Sequence, residues 1–129
     1  EIGADICLCQ NSPAHCLKNK EIDNEKLVRK YLQLGPMHAL VRGGFEPLWN
    51  NSWSDVLGFL RCFRSHTQDT IVIYTGYYEN EVSEKIGQLK ELGNVVVKFG
   101  RYRPGQKPHY DDVLGVNLAN DEQHAKRIC

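Results

Sequence analysis

The apolar positions of this chain fall into segments of helical spacing that alternate with short continuous runs. A first helix is predicted to begin at Asp23, a residue type that caps helix N-termini, and to stop at Gly35-Pro36. A second helix is predicted from Ser52 or Ser54 to about residue 65, and a third over residues 79–92, closed by Gly93. The side chains predicted to face the core from these helices are Leu27, Val28, Tyr31, Leu32, Trp53, Val56, Leu57, Leu60, Phe63, Val82, Ile86 and Leu89.

Continuous apolar runs at residues 39–41, 70–75 and 94–99 separate and follow these helices. They are rich in β-branched residues, which favours strands. Strands without polar alternation are typical of a parallel sheet that is buried on both faces and covered by helices. The order of helices and strands therefore predicts an α/β fold, a sheet of parallel strands joined by right-handed crossovers.

Each predicted strand ends at glycine: Gly43-Gly44, Gly76 and Gly100. Because right-handed crossovers bring the carboxyl ends of parallel strands to one edge, these glycines should line that edge. Ligands of open α/β sheets bind there, and glycine lets them approach the backbone closely. One glycine after a strand is an ordinary turn residue, whereas three in series favour a ligand lying across the edge.

The pattern loosens after Phe99. Residues 100–112 hold two prolines and the cations Arg101, Arg103 and Lys107, which predicts a solvated surface loop; a phosphate-binding or partner-facing loop is the alternative. Residues 113–118 are predicted to form a last short strand, and residues 120–128 a polar tail or a short helix.

Composition adds limits to this picture. The chain has 129 residues, of which 41% are hydrophobic and 25% charged, as expected for one soluble domain. Sixteen basic residues balance sixteen acidic ones, so the net charge does not indicate a nucleic-acid or membrane partner. No apolar run approaches the length of a membrane span or a signal peptide, from which we expect a cytoplasmic protein.

The five cysteines are unevenly placed. Cys7, Cys9 and Cys16 lie in residues 1–20, a stretch without helix or strand periodicity that is predicted to be a loop. Clustered cysteines in a chain without a secretion signal favour metal or redox chemistry over disulfides. Cys62 lies within a helical pattern and is predicted to be a small core residue, whereas Cys129 gives no clear signal.

Several segments together resemble the small radical S-adenosylmethionine proteins, specifically the activases of anaerobic ribonucleotide reductase and their short relatives. Gly43-Gly44-Phe45-Glu46-Pro47 resembles that family's Gly-Gly-Glu-Pro loop with one extra residue, and Tyr74-Thr75-Gly76-Tyr77 its Thr-Gly-Tyr. Lys98-Phe99-Gly100-Arg101-Tyr102 resembles a later strand ending in Asp-Gly-Arg-Phe, with Phe99 in place of the aspartate. Gly115-Val116-Asn117 is similar to a C-terminal Gly-Ser-x-Asn segment. The likeness covers most of the chain.

The cysteines depart from the family pattern. The family holds a 4Fe–4S cluster with Cys-x3-Cys-x2-Cys, whose last cysteine is often followed by a His-Asn pair. Cys9-Gln10-Asn11 resembles that last position, Cys7 is one residue too close to be the middle ligand, and no cysteine precedes it. The resemblance therefore implies one domain over residues 1–129 that lacks its N-terminal strand and first cluster cysteines; a divergent cluster loop is the alternative.

The resemblance implies a partial parallel-sheet barrel of βα units, a 4Fe–4S cluster and S-adenosylmethionine as cofactors. Cys9, and with it Cys7, would be cluster ligands, since thiolates stabilise iron–sulfur clusters. An electron from the cluster would cleave S-adenosylmethionine to methionine and a 5′-deoxyadenosyl radical. That radical would abstract hydrogen from a glycine of a partner, a glycyl radical enzyme such as anaerobic ribonucleotide reductase.

The same resemblance assigns roles to residues near the glycines. Gly43, Gly44 and Glu46 would hold the amino group of the methionine moiety, partly through backbone atoms. Thr75 and Asn117 would form hydrogen bonds to the ribose or the carboxylate. The alternative for Glu46 is a solvated loop carboxylate, and for Asn117 a turn residue.

Two hypotheses of another class stay open. One is a structural metal domain in which Cys7, Cys9, Cys16 and His15 bind zinc, although their spacing departs from common zinc patterns. The other is a binding module that keeps the α/β fold without the cluster.

Overall fold

A computed structural model of the chain describes residues 23–34, 39–42, 46–101, 105, 107–120 and 122–129. Several residues to which the sequence assigns roles lie outside these ranges: Cys7, Cys9, His15, Cys16, Gly43 and Gly44.

The described residues form helices and strands in the predicted alternating order. The helices are α1 (Asn24–Gln33), α2 (Asn50–His66) and α3 (Ser83–Lys90), and the strands are β1 (Ala39–Arg42), β2 (Thr70–Tyr74), β3 (Val95–Phe99), β4 (His109–Asp111), β5 (Val116–Leu118) and β6 (His124–Arg127). The third helix is shorter than predicted, because a 3₁₀ turn at Glu79–Glu81 precedes it and Val82 between them has non-helical backbone angles. None of the described helices combines the length and the apolar character that a membrane crossing requires.

The larger sheet has the strand order β1-β2-β3-β6. The first three strands are parallel, with Leu40 beside Ile71 and Ile71 beside Val95. The α/β prediction and the parallel arrangement of these strands are therefore confirmed. The sheet as a whole is mixed, because β6 pairs with β3 in the antiparallel direction.

Alternate positions of the strands face two separate apolar clusters. The helices all pack on one face of the sheet, as expected when successive strands are joined by right-handed crossovers in one direction. The apolar cluster between the helices and this face of the sheet includes Val28, Leu48, Val56, Leu57, Phe59, Leu60, Phe63, Ile71, Ile73, Ile86, Leu89, Val95, Val97 and Phe99. Trp53 and Val82 also belong to it, so the predicted buried faces of the second and third helices are confirmed. Leu32 is exposed instead, because α1 packs mainly on α2 and buries only a narrow stripe around Val28.

The opposite face of the sheet carries Val72, Val96 and Ala125, against which Leu114 packs. Leu114 lies in the hairpin formed by β4 and β5, a separate two-stranded sheet. Asp111 connects this hairpin with β6, because its carboxylate accepts hydrogen bonds from the amides of Leu114 and Ala125, both at 2.9 Å. Burial alone would raise the pKa of Asp111, but the backbone hydrogen bonds outweigh it and lower the pKa.

The prediction for residues 120–128 is wrong, because residues 124–127 form strand β6. Three of its four side chains are exposed and only Ala125 is buried, so the segment has little hydrophobic pattern of its own. Pairing with the central strand β3 supplies the hydrogen bonds that make it a strand.

Arg64, near the end of α2, joins the loops that follow α2 and α3. Its guanidinium donates hydrogen bonds to the backbone carbonyl oxygens of Leu92, Thr67, Asp69, Gly93 and Asn94. Because these carbonyls precede β2 and β3, one side chain fixes the entry of both strands into the sheet.

Candidate ligand site at the carboxyl edge of the parallel strands

Glu46 anchors the chain after β1 to the end of β2. Its side chain is 7% exposed, and Oε1 accepts hydrogen bonds from the Thr75 hydroxyl at 2.6 Å and from the Leu48 amide at 3.0 Å. Oε2 accepts a hydrogen bond from the Gly76 amide at 2.7 Å. A carboxylate oxygen has two lone-pair directions, so Oε2 keeps one free among the described contacts while Oε1 is fully used. Glu46 is therefore a buried carboxylate with a fixed position and not a solvated loop residue.

Thr75 is built into the same network. It is 2% exposed, and its hydroxyl both donates to Glu46 and accepts a hydrogen bond from the Tyr77 amide at 3.1 Å. Its own amide donates to the Lys98 carbonyl oxygen at 2.9 Å, which continues the pairing of β2 and β3 past the end of β2. One acceptor position of the hydroxyl stays available for a ligand.

Of the glycines that follow the predicted strands, the structure describes Gly76 and Gly100, and these two lie together as predicted. The Gly76 amide contacts Glu46, and the Gly100 amide donates to the carbonyl oxygen of the adjacent Tyr77 at 3.0 Å. Gly100 has φ +108°, and a Cβ there would lie 2.9 Å from the Cα of Gln123. Glycine is thus required at this position by backbone conformation and by the close approach of the chain before β6.

Lys98 is a component of this site that the sequence interpretation did not single out. It is only 9% exposed and, by strand alternation, lies on the same face as Val96, away from the helices. Its ammonium group is 3.5 Å from the Gly100 carbonyl oxygen and 5.5 Å from the centre of the Tyr74 ring. Burial lowers the pKa of Lys98, and the nearby charge of Glu46 opposes that effect. The sequence signal that could have identified Lys98 is the presence of a lysine in the otherwise apolar strand β3.

Arg101, the first cation after β3, is held beside the site by Glu81 and Tyr78. Its guanidinium makes two hydrogen bonds to the Glu81 carboxylate, at 3.1 and 3.0 Å, and lies 4.5 Å from the centre of the Tyr78 ring. Glu81 also accepts a hydrogen bond from the Tyr78 amide, which is the main reason that its pKa is lowered. The positive charge of Arg101 is therefore neutralised locally and gives no support to a phosphate-binding loop.

Asn117 does not join this network. It is exposed on β5 opposite Tyr110, and among the described residues no hydrogen bond connects its side chain with Glu46 or Thr75. Asn120 lies closer to the edge: it is fully buried, and its amide group donates to the Arg101 carbonyl oxygen at 3.0 Å. The sequence interpretation had no reason to prefer Asn120, because its burial depends on the position of β6.

The site thus combines the buried carboxylate of Glu46, the buried ammonium group of Lys98 and the backbone of Gly100, which lies close to the chain before β6. All three lie at the carboxyl edge of the parallel strands. Comparison with known protein families, with curated proteins and with solved structures finds no match to this chain.

Proposed function

We propose that this chain forms the cofactor-binding part of a radical S-adenosylmethionine protein that activates a glycyl radical enzyme, of the type that anaerobic ribonucleotide reductase represents. The observation that supports this proposal is the contact of Glu46 with Thr75 and Gly76. These residues belong to two separate segments that resemble the family, and the fold joins them through one buried carboxylate.

The charges of the edge are complementary to the amino-acid part of S-adenosylmethionine. This part is a zwitterion, with an ammonium and a carboxylate group on one carbon atom. Oε2 of Glu46 keeps an acceptor position for the ammonium, and Lys98 offers donors to the carboxylate. Because both protein groups are buried, their interaction with the ligand is weakly screened.

Glu46 also has an indirect role in this proposal. It holds the chain directly after Gly43-Gly44, and the backbone carbonyls of those glycines would complete the binding of the amino group. The roles of Gly43 and Gly44, and of Thr75 and Asn117 toward the ribose or carboxylate, remain predictions from the resemblance.

The iron–sulfur cluster would supply the electron that cleaves the sulfonium and produces the 5′-deoxyadenosyl radical. Cys7 and Cys9 lie outside the described residues, so the proposal gives them the role of ligands without a geometry. The described residues bind and orient the cofactor at the edge of the sheet and keep its charged groups away from bulk water.

The experiment is a binding and cleavage assay under anaerobic conditions. The chain is reconstituted with iron and sulfide, S-adenosylmethionine binding is measured by equilibrium dialysis, and 5′-deoxyadenosine is quantified after addition of dithionite. We expect Lys98→Met to weaken binding by at least about tenfold, the effect of a lost charged hydrogen bond. Lys90→Met, which removes an exposed lysine of α3, should leave binding unchanged.

Equal affinity of the Lys98→Met and Lys90→Met variants would contradict the assignment of Lys98. Binding without any 5′-deoxyadenosine, by a chain that carries the complete cluster motif, would favour a binding module on the same fold over a radical enzyme. Absence of binding by the folded, reconstituted chain would refute the proposal as a whole.

A further inference from the structure

A second group of side chains that the proposed function does not use lies where α1 packs on α2. Glu25 belongs to the first turn of α1, and Cys62 and His66 belong to the last turns of α2. Their spacing of four residues places Cys62 and His66 on the same face of the helix. One ligand atom from each of the three residues lies within 4.8 Å of the other two.

The distances in this group are close to those of ligands around one zinc ion. The Cys62 sulfur is 3.5 Å from Oε1 of Glu25, and Nε2 of His66 is 3.3 Å from Oε2. Tetrahedral zinc, with bonds of about 2.3 Å to sulfur and about 2.1 Å to nitrogen and oxygen, separates such ligands by about 3.4–3.6 Å. Small side-chain movements would therefore bring the three residues into coordination.

His66 is already oriented as a metal ligand. Its Nδ1 lies 2.9 Å from the backbone carbonyl oxygen of Cys62 and 3.0 Å from the Ser65 hydroxyl oxygen, and these contacts hold the ring in place. The other ring nitrogen, Nε2, faces the Glu25 carboxylate at 3.3 Å. Backbone hydrogen bonds to the second ring nitrogen are the usual support of histidine ligands.

We propose that Glu25, Cys62 and His66 bind one zinc ion, with solvent in the fourth position. The mixture of sulfur, nitrogen and oxygen ligands suits zinc, whereas magnesium and calcium prefer oxygen alone. A thiolate and a carboxylate also balance the two positive charges of the ion. Glu25 and His66 are exposed and Cys62 is half-buried, so the ion reaches the group from solvent.

Zinc at this position connects the first turn of α1 with the end of α2. Because only the folded chain brings Glu25 next to residues 62–66, the ion would stabilise the packing of these helices. This inference is independent of the proposed function, which concerns the opposite charges at the carboxyl edge of the sheet.

The test uses the full chain with Cys7, Cys9 and Cys16 replaced by alanine, which removes the other clustered thiols. Co²⁺ serves as the probe, since it occupies zinc sites and shows thiolate charge-transfer and tetrahedral d–d absorption bands. We expect one equivalent to bind with both bands, and Zn²⁺ to displace it. Zinc should also raise the melting temperature of this chain in a concentration-dependent way.

Single substitutions in the same background identify the ligands. Cys62→Ser should abolish the thiolate band, and His66→Ala should weaken Co²⁺ binding by more than the roughly 10–100-fold loss that removal of a ligand's hydrogen-bond partner causes. Cys129→Ser is the matched control, because it removes an exposed thiol outside the group. Circular dichroism before and after addition of the ion establishes that each variant is folded.

A thiolate band that persists in Cys62→Ser, or that disappears in Cys129→Ser, would overturn the proposal. So would a folded parent chain that binds no Co²⁺, or His66→Ala with unchanged affinity. Glu25→Gln provides an independent readout: loss of the zinc-induced rise in melting temperature is expected, and an unchanged rise would exclude the carboxylate as a ligand.

Discussion

Replacement of Glu46 by alanine should strongly destabilise the folded chain. The carboxylate accepts three hydrogen bonds, from the Thr75 hydroxyl and from the amides of Leu48 and Gly76. Alanine would leave these three buried donors without their acceptor at a site that excludes most water. An unsatisfied buried donor costs roughly 1–3 kcal/mol, and partial hydration lowers the sum, so we expect a loss of about 3–5 kcal/mol in the free energy of unfolding.

Glutamine at position 46 provides a graded comparison. Its amide oxygen can replace Oε1 and keep the hydrogen bonds from Thr75 and Leu48. Its NH₂ group then faces the Gly76 amide, so one donor meets another donor. The loss of that single charge-assisted hydrogen bond should cost about 1.5–3 kcal/mol, less than the alanine substitution.

Urea unfolding measures both variants. Trp49 and Trp53, the only tryptophans of the chain, lie near Glu46 in sequence, so their fluorescence reports on this region, and circular dichroism reports on the whole fold. Glu91→Ala is the control, because it removes an exposed carboxylate and should change the stability by no more than about 0.5 kcal/mol. An alanine variant within 1 kcal/mol of the parent, or a glutamine variant less stable than alanine, would refute the assigned network.

Three further predictions concern other parts of the fold. Gly100→Ala should lose about 2–4 kcal/mol in urea unfolding, because alanine is strained at φ +108° and its Cβ would lie 2.9 Å from the Cα of Gln123; an unchanged midpoint would contradict this. Arg64→Lys should cost about 2–4 kcal/mol, since an ammonium cannot reproduce the five guanidinium contacts, and a thermal melt equal to that of the parent would refute it. Asp111 has a lowered pKa in the folded chain, so its contribution to the free energy of unfolding is complete above its ordinary pKa of about 3.9 and is lost as the pH falls through the lower folded value. Between about pH 2 and 5, the free energy of unfolding of Asp111→Asn should therefore depend less on pH than that of the parent chain.

The sequence was most informative where one periodicity extended over many residues. Trp53, Val56 and Phe63 are buried as predicted, because helical spacing over a long segment permits only one core-facing side. The parallel strands followed from their unbroken apolar character for a similar reason. Strand β6 was missed because Ala125 is its only buried residue, and its conformation comes from pairing with β3.

The candidate sites were predictable only in part. Sequence resemblance indicated Glu46 and Thr75 one by one, but their hydrogen bond joins positions 29 residues apart and requires the sheet. Cys62 was interpreted as a core residue, and it does pack against the core. Its position opposite Glu25 depends on how α1 packs against α2, which no local pattern specifies.

Strand β6 also covers the side of β3 that would otherwise be an open edge of the sheet. All five residues of β3 are buried, and β6 occupies the side of β3 that does not pair with β2. If residues 124–127 were removed or pulled away, a flat row of unpaired amides and carbonyls flanked by valines would face solvent. Such an edge recruits strands from other chains and begins aggregates. A few polar residues late in the chain thereby replace the apolar edge of β3 with an edge whose side chains are mostly exposed and polar.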